Sequence, residues 1–118
     1  MSHLRKSNLF VGIPRRIGKE ISKALLERPG LSIRRIVSQG QATDWLSQDT
    51  DEWVVLLAGA ARLLFEKGNR RVSMRPGDHV TIPAGCRHRV TWTDPDHRSV
   101  WLAVHCKAEK AKDPKRRP

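Results

Sequence analysis

From Gly40 to Cys106 the chain is written in short apolar runs, each cut off within a few residues by glycine, proline or an Asp/Asn turn. An ordinary helix has no room between such breakers, whereas runs of about four to eight residues with turn signals at each end read as β-strands. The strands expected are Glu52 to Ala58, Ala61 to Glu66, Arg71 to Met74, His79 to Ile82, Arg87 to Thr93 and Ser99 to Cys106. Between them stand Lys67-Gly68-Asn69, Arg75-Pro76-Gly77-Asp78, Pro83-Ala84-Gly85 and Asp94-Pro95-Asp96, all turn chemistry. Short strands at a spacing of about ten residues indicate a sandwich or a barrel.

The N-terminal third is less regular. Leu9 to Pro14 reads as a short edge strand closed by proline. Lys19 to Glu27 carries a helical stripe (Ile21, Ala24, Leu25) but is short for a helix, and Arg28-Pro29-Gly30 forces a turn before the β-branched run Leu31 to Val37. The favoured reading is a hairpin around Pro29-Gly30. The division expected is an arm with strands packing on the barrel over 1–30, the barrel itself over 31–106, and a disordered basic tail over 107–118. Within Glu52 to Ala58, alternation puts Glu52, Val54, Leu56 and Ala58 on one face and Trp53, Val55 and Leu57 on the other. A strand apolar on both faces needs cover on both. The N-terminal hairpin or a second subunit, making a homodimer on the Trp53 face, would supply it.

The net charge of +11 sits mostly at the ends. Met1 to Lys23 holds six basic residues against Glu20, and Lys107 to Pro118 six against Glu109 and Asp113. Nucleic-acid grooves interleave aromatics with their basic residues, and these ends offer only Phe10. They read as solvated ends rather than a nucleic-acid site. No apolar run reaches membrane-spanning length, Leu9 to Ile13 is too short for a signal-peptide core, and Cys86 and Cys106 form neither a metal pair nor a disulfide framework. A cytoplasmic, reduced protein without a membrane partner is expected.

Two stretches resemble the paired motifs of the cupin superfamily. In the first, Gly40, Glu52 and Gly59 fall in register. In the second, Gly77, Pro83, Gly85 and His88 do. The resemblance covers Arg34 to His105 and implies an all-β fold, a cupin-type jelly-roll β-barrel. The phrases Asp51-Glu52-Trp53-Val54 and Arg87-His88-Arg89-Val90-Thr91-Trp92-Thr93 are similar to one group of small single-domain bacterial cupins likened to phosphomannose isomerases. Metal-holding members of the superfamily use three histidines and a glutamate. Here Leu46 and Gln48 occupy the two first-motif histidine slots, and Trp92 the closing asparagine slot. Carried over residue by residue, Glu52 and His88 remain as strong ligands and Gln48 as an oxygen ligand for a divalent transition metal (zinc, nickel, manganese or iron), one imidazole short of a two-His-one-carboxylate set.

Glu52 on an apolar strand needs a metal, a cation or a raised pKa, and pairing with His88 would serve as well. Trp45, Leu46 and Trp92 are expected to line the pocket, Trp92 by alternation from His88, with His79 facing either way. His105 reads as surface, next to the basic tail. Two functions fit these residues. One is a metal-binding pocket for a small polar ligand, with isomerase-like or oxygenase-like chemistry, for which no second base is evident. The other is a metal-free cupin that binds a small molecule or assembles without catalysis.

Overall fold

The structure is a computed structural model that describes residues 4–108. Gly30, at φ 76°, takes a left-handed conformation that a side chain resists, and so turns the chain tightly between β1 (Ile21–Arg28) and β2 (Leu31–Ser38). These strands pair antiparallel from Arg28↔Leu31 to Ile21↔Val37, so the hairpin reading holds and the helical one falls. β2 pairs along its whole length with the last strand, β8 (Ser99–Lys107). β8 pairs on its other side with β3 (Thr50–Ala58), which pairs with β6 (His79–Ile82). The larger sheet therefore runs β1-β2-β8-β3-β6. A second antiparallel sheet is ordered β5-β4-β7 from β5 (Arg70–Met74), β4 (Ala61–Phe65) and β7 (His88–Thr93). A short 3₁₀ turn, Lys67–Asn69, joins β4 to β5. The two sheets make the expected jelly roll, and none of the described elements is an α-helix long and apolar enough to cross a membrane.

The alternation in β3 directs the core. Val54 and Leu56 turn inward with Trp101 and Ala103 of β8, and meet Ala61, Leu63 and Met74 of the small sheet. Leu56 and Ala103 are wholly buried. Glu52 follows Val54 and Leu56 on the same face, and so stands at the end of the core rather than at the surface.

Two N-terminal expectations need correction. Leu9 to Pro14 is not a strand. The Asn8 side-chain oxygen accepts from the Phe10 amide at 2.8 Å and its carbonyl accepts from Val11, while Gly12 adopts φ 75°. This local turn occupies the backbone groups that a ladder would need. Nor does the hairpin cover the outer face of β3, because β1 and β2 extend the sheet sideways. The arm instead crosses β2, where the buried Arg35 donates to the carbonyls of Leu9 and Val11. Lys107 closes β8, and the rest of the segment expected as a tail, from residue 109 onward, lies outside the described residues.

Gly59 links the two sheets between β3 and β4 at φ 87°, and a Cβ there would stand 2.8 Å from the Arg98 carbonyl oxygen and closer still to Ser99. Gly59→Ala therefore combines a strained conformation with a clash against backbone. We expect a loss of at least about 2 kcal/mol, read as a lower urea midpoint with an unchanged slope. A midpoint equal to that of the parent would contradict the packing described.

Candidate functional site

Three strands deliver the site. In the larger sheet, Ile82, Glu52 and His105 lie side by side in one register row across β6, β3 and β8. Because Trp101 and Ala103 face the core, alternation carries His105 inward with them. His88 comes from the opposite sheet, as the first residue of β7. The turn before it is pinned from three directions. Asp51 accepts from the Ala84 amide at 2.9 Å, Gln48 accepts through its carbonyl from Gly85 at 2.7 Å, and Pro83 accepts from Cys86 at 3.0 Å. Gly85, at φ 79°, completes the bend.

The result is a carboxylate held between two imidazoles. Glu52 Oε1 lies 3.7 Å from His88 Nε2 and Oε2 lies 3.5 Å from His105 Nε2. Glu52 and His88 are buried, and Glu52 Oε1 has no hydrogen-bond partner. The His88 Nδ1 is 2.9 Å from the Cys86 carbonyl, which can only accept, so this nitrogen carries a proton. A neutral His88 then presents the bare lone pair of Nε2 to the carboxylate. Two acceptors face each other across the gap unless a proton or a cation lies between them. Phe65 stacks on His88 with ring centroids 5.9 Å apart and helps fix the ring. His105 is oriented by Thr50, whose hydroxyl is 3.3 Å from Nδ1.

A cavity of about 260 Å³ opens over this cluster. That is below the roughly 300 Å³ at which drug-sized sites begin, so its occupant is small. Its polar lining is Glu20, Thr43, Gln48, Glu52, His88 and His105, against an apolar wall that includes Ile36, Val54, Leu63, Val90 and Trp101. Leu46 is there too, bridged to His88 by paired backbone hydrogen bonds of 2.6 and 2.9 Å. The structure thus brings Gln48, Glu52, His88 and Leu46 together.

It does not bring Trp45, Trp92 or His79 to the cavity. Pairing of β4 with β7 skips a residue, from Leu63↔Val90 to Arg62↔Trp92, and this bulge turns Trp92 outward beneath the Arg62 guanidinium, 4.7 Å away. Trp45 alternates with Leu46 and packs beside Arg87 and Arg89. His79 pairs with Val55 on the outer side of β3 and accepts from the Trp53 indole at 3.3 Å. The tryptophan in the cavity wall is Trp101, tied by its indole N–H to Ser38 at 3.1 Å.

Two titratable lining residues were missed by sequence reasoning. His105 read as surface because the basic tail follows it. Continuing the alternation of β8 two positions past Ala103 would have found it. Glu20, just before β1 at the cavity mouth, carries no periodic signal.

Burial pushes the Glu52 carboxyl above its ordinary value, and His105 and then His88 pull it partly back. Glu20 is exposed as a residue, and the local crowding of its carboxyl against the cavity wall moves its pKa upward. The raised folded-state pKa of Glu52 sets a sign: its contribution is fully present at low pH and is lost as pH rises through that value. In chelator-treated protein, Glu52→Gln should therefore melt a few degrees higher than the parent near pH 8, and the gap should close toward about pH 4. A variant less stable at pH 8 would contradict the reading.

As a donor set, two imidazoles and a carboxylate suit a divalent transition metal. The orphaned oxygen and the fixed His88 tautomer fit one as well. The side chains close on each other, however, and among the described residues no three His, Cys, Asp or Glu groups form a preassembled metal cage.

Comparison with known proteins agrees with the architecture. The cupin domain family matches residues 34–105. A crystal structure from Ralstonia eutropha JMP134, provisionally named a mannose-6-phosphate isomerase, is 46% identical. It superposes with a TM-score of 0.85 over 89% of this chain and 100% of that one. A cupin superfamily protein from Desulfitobacterium hafniense DCB-2 is 20% identical with a TM-score of 0.69, covering 80% of this chain and 84% of its own. A Streptococcus pyogenes protein of unknown function is 22% identical with a TM-score of 0.73, covering 93% of each chain. These last two speak to the fold alone. No curated protein matches the sequence.

Proposed function

The chain belongs to the cupin family, and on that premise we propose that its barrel is a binding chamber for a small hydroxylated or carbonyl-bearing molecule, with a divalent transition metal held by Glu52, His88 and His105. The observation that carries this reading is the unpartnered Glu52 oxygen facing the bare His88 nitrogen. Gln48, on the same wall, offers a neutral oxygen beside them.

A metal so held would polarise a carbonyl or hydroxyl oxygen of the ligand. The chain's own residues do the rest. The apolar wall around Val54, Leu63 and Trp101 excludes water and strengthens each charge inside. Glu20, exposed at the mouth where a ligand enters, offers a second carboxyl that the sequence did not reveal and that can accept and return a proton there. This arrangement supports isomerase-like proton transfer over oxygenase-like chemistry, which agrees with the isomerase in the name carried by the 46% identical Ralstonia protein but not with the phosphorylated sugar in it. The cavity lining contains two glutamates and neither lysine nor arginine among the described residues. A phosphate dianion would meet repulsion there, so the substrate favoured is an unphosphorylated hydroxy-carbonyl compound.

The closed ion cluster supports a second reading, in which an imidazolium neutralises Glu52 and the pocket works without metal. Elemental analysis separates the two. After purification from metal-supplemented medium, the first expects close to one transition-metal ion per chain, falling at least tenfold in Glu52→Ala and His88→Ala. Equal, near-zero content in all three would leave the metal-free reading.

Assembly as a homodimer through the outer face of the larger sheet belongs to the same proposal. Trp53, Leu57, Leu102 and Val104 are half-buried there rather than covered. Sedimentation at tens of micromolar should give a dimer, and a clean monomer would remove this part.

A further inference from the structure

A surface depression of about 640 Å³ lies away from the cavity, on the outer face of the small sheet. Two register rows cross this face. Ser73, Arg62 and Trp92 form the first, and Arg71, Leu64 and Arg89 the second. Successive outward rows lie about 7 Å apart. Aromatics and guanidinium groups interleave along them. Arg62 stacks over Trp92 at 4.7 Å, and Arg89 and Arg87 flank Trp45 at 5.6 and 5.3 Å. Arg87 is paired with Glu66 at 3.2 Å, whereas Arg62, Arg71 and Arg89 have no ion-pair partner among the described residues. The Nε of Arg89 is buried without an acceptor.

We propose that this face binds single-stranded nucleic acid, with bases stacking on the Trp92–Arg62 and Trp45–Arg89 platforms and phosphates taken by Arg71 and Arg62. Every base has a π-face and every nucleotide a phosphate, so alternating aromatic and guanidinium groups is the arrangement such a strand needs. The row spacing lets successive nucleotides of an extended strand meet successive rows. A second copy of this chain fits poorly, because its 23 basic residues outnumber its 12 acidic ones and would repel the face. An acidic protein would satisfy the arginines but gives the tryptophans nothing to stack on. This site is separate from the basic ends, which lack aromatics apart from Phe10, and from the barrel cavity.

The test is fluorescence anisotropy of a labelled single-stranded oligouridine with the full chain in low salt, beside a heparin fragment as a base-free polyanion. The expected result is that Arg62→Ala/Arg71→Ala and Trp92→Leu each weaken oligouridine binding at least about fivefold. The charge-matched arm variant Arg5→Ala/Lys6→Ala should cost much less, and heparin binding should be indifferent to Trp92. NMR of the unaltered protein provides a check free of folding effects. The indole N–H signals of Trp92 and Trp45 should shift on adding oligouridine while that of Trp101 stays. The proposal is overturned by unmoved Trp92 and Trp45 signals, by equal losses in the arm and face variants, or by Trp92→Leu binding as tightly as the parent. A face that prefers heparin to oligouridine would likewise overturn it and point to an acidic partner surface.

Discussion

A carboxylate has been taken out of water and set between two imidazoles, and the rest of the structure makes sense around that. Removing a lone carboxylate from solvent costs several kcal/mol unless a counter-charge or hydrogen bonds meet it. Glu52 meets neither fully: one oxygen is buried without a partner, and both imidazoles stand just beyond hydrogen-bond reach. The position is imposed by the fold. Val54 and Leu56 must face the core, and with a period of two that commits Glu52 to the same side. The buried acid is thus held in place by the hydrophobic packing of its own strand.

The two sheets have different tasks at this point. The larger one fixes Glu52 and His105 by ladder register, which is rigid because β8 is paired on both sides. The smaller one presents His88 from a turn whose backbone is anchored to Gln48 and Asp51, residues just before the glutamate in the chain. The site therefore forms only when the sheets are closed on one another. The same small sheet turns Arg62, Arg71, Arg89 and Trp92 outward, and the bulge before Trp92 is what places that ring on the outer face.

Much of this was legible in the chain because it rests on local rules. Glycine and proline positions gave the turns, period-two alternation gave the inward face of β3, and the motif positions Gly59, Gly85, Glu52 and His88 gave the resemblance that the cupin match bears out. What escaped depends on tertiary pairing. The outward turn of Trp92 follows from a one-residue bulge against β4, which no single-strand pattern announces. His105 reaches Glu52 only because β3 and β8, far apart in sequence, are neighbours in register. Leu9 to Pro14 looked like a strand because its apolar content does not reveal that Asn8 has already claimed the local amides. Glu20 is brought to the cavity mouth by the arm's path, and its own neighbours in sequence give no hint of it.

As proposed, Glu52, His88 and His105 act as one cation-binding unit, with His105 supplying an imidazole the first motif lacks. It is tested most directly by calorimetric titration of Zn²⁺ into chelator-treated, dialysed protein and into His105→Ala. One ion per chain is expected, with binding at least about tenfold weaker in the variant. No detectable binding by the parent at millimolar zinc, or identical affinity in both proteins, would contradict it.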